Sequence, residues 1–316
     1  MKIEPSSLDD LQSSLRNACI RGEKVRGINL TKMDRILAHV PEDLTVTVEA
    51  GVLLGQLQRH LARRRQWLPI DPPNPDHLTV GAMLAINASG PRRLGYGTIR
   101  DHLIGIKVAL TDGRIIKSGG QVVKNVAGYD LAKLFVGSHG TLGIIVEATF
   151  KLQPLPEAEQ AVRAGALSWK DAETLLEKIL EVEIAPVAID LHNLSLPDCQ
   201  HSDELVATLA FAGTQEEVEW QLAQVNGWGF HPLAAPEDAT RFWSRPPGPR
   251  RMSVLPSRTI ETIRGLGSVP WLARAGNGVI YYHGGAPPVK EELPDTLLRR
   301  LKEAFDPQHL LPDLPL

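Results

Sequence analysis

The glycines of this chain are concentrated in one segment, and this limits what the segment can form. Twelve of the 27 glycines lie between Gly81 and Gly143, about a fifth of the 316 residues. Glycine weakens helices and strands except where the backbone needs a positive φ or another group approaches closely. Such a density predicts either a series of tight turns in a β-rich domain or a surface whose main-chain N–H groups line a large ligand. The spacing alone does not separate these two interpretations.

Composition and charge exclude several classes of function. The hydrophobic fraction of 43% and the charged fraction of 22% are ordinary for a soluble globular protein, and the length suits two domains or one large one. A net charge of −3 and an aromatic fraction of 5% argue against a nucleic-acid partner. Cys19 and Cys199 are too few for an iron–sulfur cluster, and the ten histidines show no metal-binding spacing, so we expect no bound metal.

The sequence also carries no signal for export or for a membrane. Met1 to Ser6 lack the apolar run of a signal peptide. No stretch of about 18 apolar residues is present that could span a bilayer. These features predict a cytoplasmic protein with no transmembrane segment.

Apolar periodicity and turn residues predict the elements of the first half of the chain. Ser7 precedes leucines at helical spacing, which indicates a capped amphipathic helix. Residues 111–113, Thr-Asp-Gly, join two apolar runs and predict a hairpin. The other expected elements are a strand at 44–49, a helix at 53–66, strands at 103–110 and 114–117, and a strand at 141–152.

The second half of the chain predicts the order β-α-β-β-α-β, the split βαβ pattern. Its strands are expected near Ala164, at 187–191, at 204–211 and near Trp228, and its helices at 171–183 and 214–225. Two short strands at 271–275 and 279–282 and a last helix at 296–305 follow. We therefore expect domains at residues 1–154 and 155–285, and a C-terminal helix within 286–316 that returns to the first domain.

Ordered motifs identify the glycine-rich segment more closely. No Gly-x-Gly-x-x-Gly opens a predicted helix and no Walker A sequence is present, so neither a Rossmann site nor a P-loop is supported. Six other motifs occur in one order: Pro72-Pro73, Thr79-Val80-Gly81, residues 87–93, residues 96–101, residues 123–130 and residues 137–143. Together they resemble the vanillyl-alcohol-oxidase type of FAD-binding domain, and within it the FAD-binding E-type subunits of glycolate oxidase. The resemblance covers residues 1 to about 155 well and the remainder weakly.

The resemblance implies an α+β fold, with a PCMH-type FAD-binding domain of two α+β subdomains followed by a ferredoxin-like cap over the flavin. The cofactor implied is FAD, which would carry the redox chemistry. The implied cofactor-binding residues are Pro73; Thr79, Val80, Gly81 and Ala82 at the pyrophosphate; Ala88, Ser89 and Gly90 along the ribityl chain; Tyr96 and Gly97 near the flavin; and Gly143, Ile144 and Ile145 at the adenine end. Main-chain N–H groups stacked in tight loops form a nest for phosphate oxygens, which agrees with glycine at such places.

The sequence departs from the family pattern at three places. Between strands near Val25 and Ile28 the family has a long glycine-rich loop that wraps the pyrophosphate, and only two residues remain here. Parallel strands need a crossover of about a dozen residues, so these segments must form one continuous strand, form a tight hairpin or lose a strand. Ala82 replaces a usual glycine, which costs about 1 kcal/mol or more if its φ is positive. The segment 305–312 lacks the usual Asn-Pro-Gly.

Few side chains are candidates for chemistry, and the catalytic residue stays unknown. His283 follows a predicted strand and could face the flavin as a proton carrier, although a single histidine there is more often structural. Lys124, Tyr129 and Asp130 are interpreted as packing and hydrogen-bonding groups of their motif. Arg92 and Arg93 could attract an anionic phosphate or acid, but exposed loop charge is the more common role.

The resemblance implies a subunit of a 2-hydroxy-acid oxidase complex of the glycolate type. Electrons would pass from a small 2-hydroxy acid to the flavin and then to partners, which are a second FAD-linked subunit and an iron–sulfur subunit. Any association with the inner membrane would go through those partners. Two alternatives stay open: a scaffold subunit that has lost tight FAD binding, and a dehydrogenase for lactate rather than glycolate.

Overall fold

The computed structural model of this chain describes residues 1–120, 131–195, 200–233, 239–285 and 295–313. The chain divides into two compact units. The first comprises Met1–Ser89, Thr98–Leu155 and Glu291–Leu316, and the second comprises Gly90–Gly97 and Pro156–Lys290.

The first unit is built around a five-stranded antiparallel sheet. The elements of residues 1–155 are β1 (Lys2–Ile3), α1 (Leu8–Arg21), β2 (Gly27–Ile28), β3 (Ile36–Val40), β4 (Thr45–Glu49), α2 (Leu54–Ala62), β5 (Gln66–Trp67), α3 (Val80–Ala85), α4 (Arg93–Tyr96), α5 (Ile99–His102), β6 (Leu103–Ala109), β7 (Ile115–Gly119), α6 (Ala132–Phe135), β8 (Ile144–Lys151) and β9 (Gln153–Pro154). The sheet has the order β3-β4-β8-β6-β7, while β1 pairs parallel with β2 and β5 pairs antiparallel with β9.

Apolar side chains of α2 and α3 and of the sheet form one core. Leu57, Leu61, Met83 and Phe150 are all fully buried in it. Burial of each such side chain contributes about 1.5–3 kcal/mol, so this core holds the two helices on the sheet. The predicted cap of α1 is confirmed, because Ser7 Oγ accepts a hydrogen bond of 3.2 Å from the Asp10 N–H.

The helix predicted at 53–66 is wrong at its end. The observed helix α2 stops at Ala62, and Arg65 adopts a φ of 53°, in the left-handed region that a right-handed helix cannot continue. Gln66 then enters β5, and its side-chain Nε2 donates a hydrogen bond of 2.7 Å to the Pro41 carbonyl. A tertiary pairing thus replaces the last turn that the sequence pattern favours.

The second unit contains the predicted β-α-β-β-α-β pattern, which is confirmed. Its elements are α4 and then β10 (Ala158–Leu167), α7 (Trp169–Glu181), β11 (Ala188–Ser195), β12 (Gln200–Gly213), α8 (Gln215–Val225), β13 (His231–Leu233), α9 (Thr240–Ser244), β14 (Arg250–Ser253), α10 (Thr259–Gly265), β15 (Trp271–Arg274) and β16 (Val279–Tyr282). The seven-stranded sheet runs β13-β10-β12-β11-β15-β16-β14, so the ferredoxin-like order of the first four strands is extended by three more. In the first unit, α11 (Asp295–Phe305) ends the series.

One strand of this unit lies later than the sequence indicates. The strand expected near Trp228 is wrong, because Gly227 and Gly229 adopt φ values of 83° and 81° and form a turn there. The observed strand is β13, which pairs with β10 from His231 to Leu233. Residues 90–97, which lie inside the expected first domain, belong to the second unit, where the Gly95 N–H donates a hydrogen bond of 3.2 Å to the Val187 carbonyl.

Candidate functional site

A cavity of about 310 Å³ in the first unit brings together residues that are far apart in sequence. It is lined by Val25, Gly27, Ile28, Leu30, Thr79, Gly81, Ala82, Ala85, His139, Gly140, Gly143, Ile144, Ile145, Leu311 and Pro312. Six of the thirteen predicted cofactor-binding residues are among them: Thr79, Gly81, Ala82, Gly143, Ile144 and Ile145. The volume is at the lower end of the range for small-molecule sites.

Helix α3 forms one wall of this cavity, and its first N–H groups are already paired. The Val80 N–H donates to the Val52 carbonyl and the Gly81 N–H to the Ala50 carbonyl, both at 2.8 Å. The Ala82 N–H lies 3.2 Å from Thr79 Oγ1, the side-chain cap of the helix. The phosphate nest expected at these three residues would therefore have to compete with bonds inside the protein.

The departure at Ala82 is harmless to the fold. Ala82 lies within helix α3 and is not among the residues with a positive φ. Because its φ is not positive, the alanine adds no backbone strain, and the residue is exposed.

Two of the cavity glycines are required by packing rather than by a ligand. A Cβ on Gly81 would lie 2.9 Å from Ala50 Cβ, and a Cβ on Gly143 would lie 2.7 Å from Val108 Cγ1. Both distances are shorter than the van der Waals contact that packed interiors allow. At these positions glycine lets a helix and a strand approach their neighbours closely.

The other two cavity glycines leave space that a ligand could fill. A Cβ placed on Gly27 or on Gly140 would meet no protein atom within 4 Å. Gly140 also has a φ of 71°, which favours glycine. The loop that carries it is fixed to α3, because the Gly137 and His139 N–H groups donate to the Leu84 and Ala85 carbonyls at 2.9 and 2.8 Å.

A buried hydroxyl lies in the same loop. Ser138 Oγ is inaccessible to solvent and has no hydrogen-bond partner within the part of the chain that the structure describes. Buried hydroxyls are normally paired, so this one carries a desolvation cost that the described contacts do not offset.

The short connection at Val25–Ile28 leads directly into β2 (Gly27–Ile28), which pairs parallel with β1. The Arg26 and Asn29 N–H groups donate to the Met1 and Ile3 carbonyls at 2.8 and 2.9 Å. The Val25 N–H donates at 2.7 Å to Leu310, and the two residues after Leu310 line the cavity. Sequence reasoning missed these C-terminal wall residues, whose one signal is an apolar pair after the last helix.

The remaining predicted residues lie elsewhere. Val80, the first residue of α3, is fully buried, and Pro73, Ala88 and Ser89 are half-buried residues of the first unit that do not line this cavity. Gly90, Tyr96 and Gly97 belong to the second unit. The motif at 123–130, with Lys124, Tyr129 and Asp130, lies outside the described residues.

His283 has a structural environment in the second unit. Its side chain is buried, and Nε2 lies 2.7 Å from the Phe242 carbonyl, so Nε2 carries a proton. Its ring packs edge-on against the Phe242 ring at 4.8 Å between centroids. Arg92 forms an ion pair of 2.8 Å with Glu159 in the same unit. These contacts favour structural roles for both residues.

The described residues contain neither a membrane-spanning helix nor a cluster of metal-binding side chains. Within them, no helix is long and apolar enough to cross a membrane. They also contain no group of three or more histidine, cysteine or acidic side chains that could hold a metal ion.

Comparison with known proteins finds relatives among glycolate oxidase subunits and D-lactate dehydrogenases. The chain is 39% identical over 158 residues to glycolate oxidase subunit GlcD of Bacillus subtilis, covering 50% of this chain and 34% of the relative. It is 36% identical over 155 residues to glycolate oxidase subunit GlcE of Escherichia coli, covering 49% of this chain and 43% of the relative. It is 32% identical over 234 residues to the mitochondrial D-lactate dehydrogenase (cytochrome) of Arabidopsis thaliana, covering 68% of this chain and 40% of the relative. The matched segments thus span about two fifths or less of these relatives' lengths.

A solved structure shares the fold over nearly the whole chain. Alkyldihydroxyacetonephosphate synthase matches with a TM-score of 0.72 at 17% identity, over 98% of this chain and 75% of that one. A family model described as an FAD binding domain matches residues 12–119. Residues 12–119 are thus similar to an FAD binding domain, and this match indicates FAD as the cofactor.

Proposed function

We propose that this chain is the FAD-binding subunit of an oxidoreductase that oxidises the CH–OH group of a small 2-hydroxy acid. The observation that carries the proposal is the cavity of the first unit, which joins the glycine-rich loop, α3 and the 25–30 segment. Relatives named as glycolate oxidase subunits, D-lactate dehydrogenases and D-2-hydroxyglutarate dehydrogenases support the reaction class.

The cavity suits the adenine end of FAD better than the flavin. Ile28, Leu30, Ile144 and Ile145 give it apolar walls, and among its lining residues His139 is the single titratable side chain. An aromatic base is stabilised by such walls, with the Gly27 and Gly140 openings leaving room for it. At about 310 Å³ the cavity would hold part of the dinucleotide.

The chemistry would be supplied by the flavin, which accepts a hydride when it is bound. The chain's own residues would position the cofactor: Thr79 with its hydroxyl at the start of α3, and Ile144 and Ile145 through the backbone of β8. With two cysteines in all, the chain has too few thiolates for a cluster, so electrons would pass to an iron–sulfur partner in a complex that also contains a second FAD-linked subunit. A cytoplasmic location, or a membrane association through these partners, belongs to the same proposal.

A second candidate is a scaffold subunit with weak or no FAD binding. Two observations favour it: the pairing of the Arg26 and Asn29 N–H groups with the Met1 and Ile3 carbonyls, and the pairing of the Val80 and Gly81 N–H groups with carbonyls of the chain itself. Both remove donors that would otherwise contact phosphate oxygens.

The decisive experiment is a direct measurement of FAD binding. The purified full chain, alone and with its partner subunits, should show flavin absorption bands and bind FAD in calorimetry with a submicromolar Kd. The same measurements should be made on a variant with a family-type glycine loop inserted between Arg26 and Gly27. If the unmodified chain binds no FAD and the insertion raises its affinity by orders of magnitude, the scaffold function is correct and the oxidoreductase proposal fails.

A further inference from the structure

A buried ion pair lies at the end of the last helix. Lys302 Nζ and Asp306 Oδ2 are 2.7 Å apart, and the two residues are separated by one helical turn. Lys302 is 4% exposed and Asp306 is 0% exposed. Placing two charges inside a protein is costly unless further hydrogen bonds satisfy them, so the surroundings of the pair show what it holds.

The pair organises the chain that follows the helix. Asp306 accepts hydrogen bonds of 2.9 Å from both the Leu310 and the Leu311 N–H groups. The Lys302 ammonium donates to the Pro312 carbonyl at 2.8 Å and lies 3.2 Å from the Leu311 carbonyl. The carboxylate and the ammonium therefore fix the conformation of residues 310–312.

The same pair attaches this segment to the walls of the cavity. Lys302 Nζ donates a hydrogen bond of 2.8 Å to the Thr141 carbonyl, in the loop that carries Gly140. On the other side, the Leu310 carbonyl accepts from the Val25 N–H at 2.7 Å. Leu311 and Pro312 are thereby held beside both the glycine loop and the shortened 25–28 segment, and both line the cavity.

We propose that Lys302 and Asp306 are positioning residues of the cofactor cavity. They hold Leu311 and Pro312 as a wall beside the 25–28 segment, which lines the same cavity. The proposal rests on the proposed function, because the ligand of the cavity is taken to be the adenine end of FAD. The ammonium charge is matched by the carboxylate, so the pair acts through the position of the wall and not by attracting an anion.

The test uses the full chain and two variants of the pair. K302M removes the ammonium, and K302M/D306N removes both charges, so that no unpaired buried ion remains to unfold the protein. R300M, on the exposed side of the same helix, removes one positive charge without touching the pair and serves as the control. The measurements are hydrogen exchange at the Leu310 and Leu311 amides without cofactor, and FAD affinity by calorimetry at low and at high salt.

We expect faster exchange at both amides in the two pair variants and an FAD Kd at least tenfold higher, with the same ratio at both salt concentrations. R300M should stay within twofold of the unmodified chain. The inference would be overturned if hydrogen exchange at the Leu310 and Leu311 amides is unchanged in the pair variants. It would also be overturned if exchange is faster but the FAD Kd equals that of the unmodified chain. In both cases the proposed function stands. A loss that disappears at high salt would also overturn it, in favour of direct attraction of the phosphates. Failure of the proposed function is recognised separately, since the unmodified chain would then bind no FAD.

Discussion

Substitution of Gly81 by alanine tests whether packing, rather than the cofactor, requires glycine at the start of α3. The added Cβ would lie 2.9 Å from Ala50 Cβ and 3.1 Å from the Ala50 carbonyl oxygen. Ala50 is fully buried, so neither group can move freely, and overpacking of this kind costs about 1–3 kcal/mol. Displacing the helix would also weaken the 2.8 Å bond from the Gly81 N–H to Ala50, which contributes about 0.5–1.5 kcal/mol.

The better helix propensity of alanine offsets up to about 1 kcal/mol of this loss. We therefore expect G81A to lower the free energy of unfolding by about 1–2 kcal/mol, or Tm by roughly 2–8 °C. The assay is thermal and urea unfolding of G81A, A50G and the double variant G81A/A50G. Removing the Ala50 methyl should recover part of the loss, which appears as a coupling energy in the double-mutant cycle. If G81A is as stable as the unmodified chain, the packing explanation is refuted and glycine at 81 serves the ligand.

Three further outcomes are expected. G27L should raise the FAD Kd at least tenfold and shift Tm by less than about 2 °C, because a side chain at this position enters empty space. G165L is the control: a Cβ at Gly165 also meets no protein atom within 4 Å, but Gly165 lies in the second unit, so the FAD affinity should be unchanged. Equal effects of the two substitutions on the FAD Kd would contradict the prediction. H283A should cost about 1–3 kcal/mol of stability by leaving the Phe242 carbonyl unpaired, whereas lost activity at unchanged Tm would instead show a catalytic role. Burial opposes ionisation of Glu49, but the hydrogen bonds from Arg35 outweigh it and lower the pKa of that carboxyl. Its stabilisation is present above the usual pKa near 4.5 and lost as the pH falls through the lowered value, so the stability difference between E49Q and the unmodified chain should shrink in acid unfolding curves and not at neutral pH.

Local signals in the sequence predicted much of the fold. The cap of α1 forms as the residue types indicate, with Ser7 Oγ accepting a hydrogen bond from the Asp10 N–H. The hairpin at 111–113 joins β6 to β7, as its turn residues predict. These elements depend on residues a few positions apart, so a single sequence contains the information.

Features that depend on distant contacts could not be predicted in this way. The pairing of α3 N–H groups with the Ala50 and Val52 carbonyls joins segments about thirty residues apart. The Lys302 ammonium binds the Thr141 carbonyl across 161 positions, and nothing around either residue signals that contact. For the same reason, sequence patterns indicated which residues approach the cavity but missed its C-terminal wall.

The seven-stranded sheet of the second unit has a consequence for how its surface can meet other proteins. Its two outermost strands, β13 and β14, are only three and four residues long. Pro232 removes a main-chain donor from the edge strand β13, and exposed Arg250 and Arg251 place positive charge on the edge strand β14. Short, charged or proline-containing margins resist the addition of a foreign strand. These two edge strands therefore disfavour edge-to-edge pairing between copies of the chain.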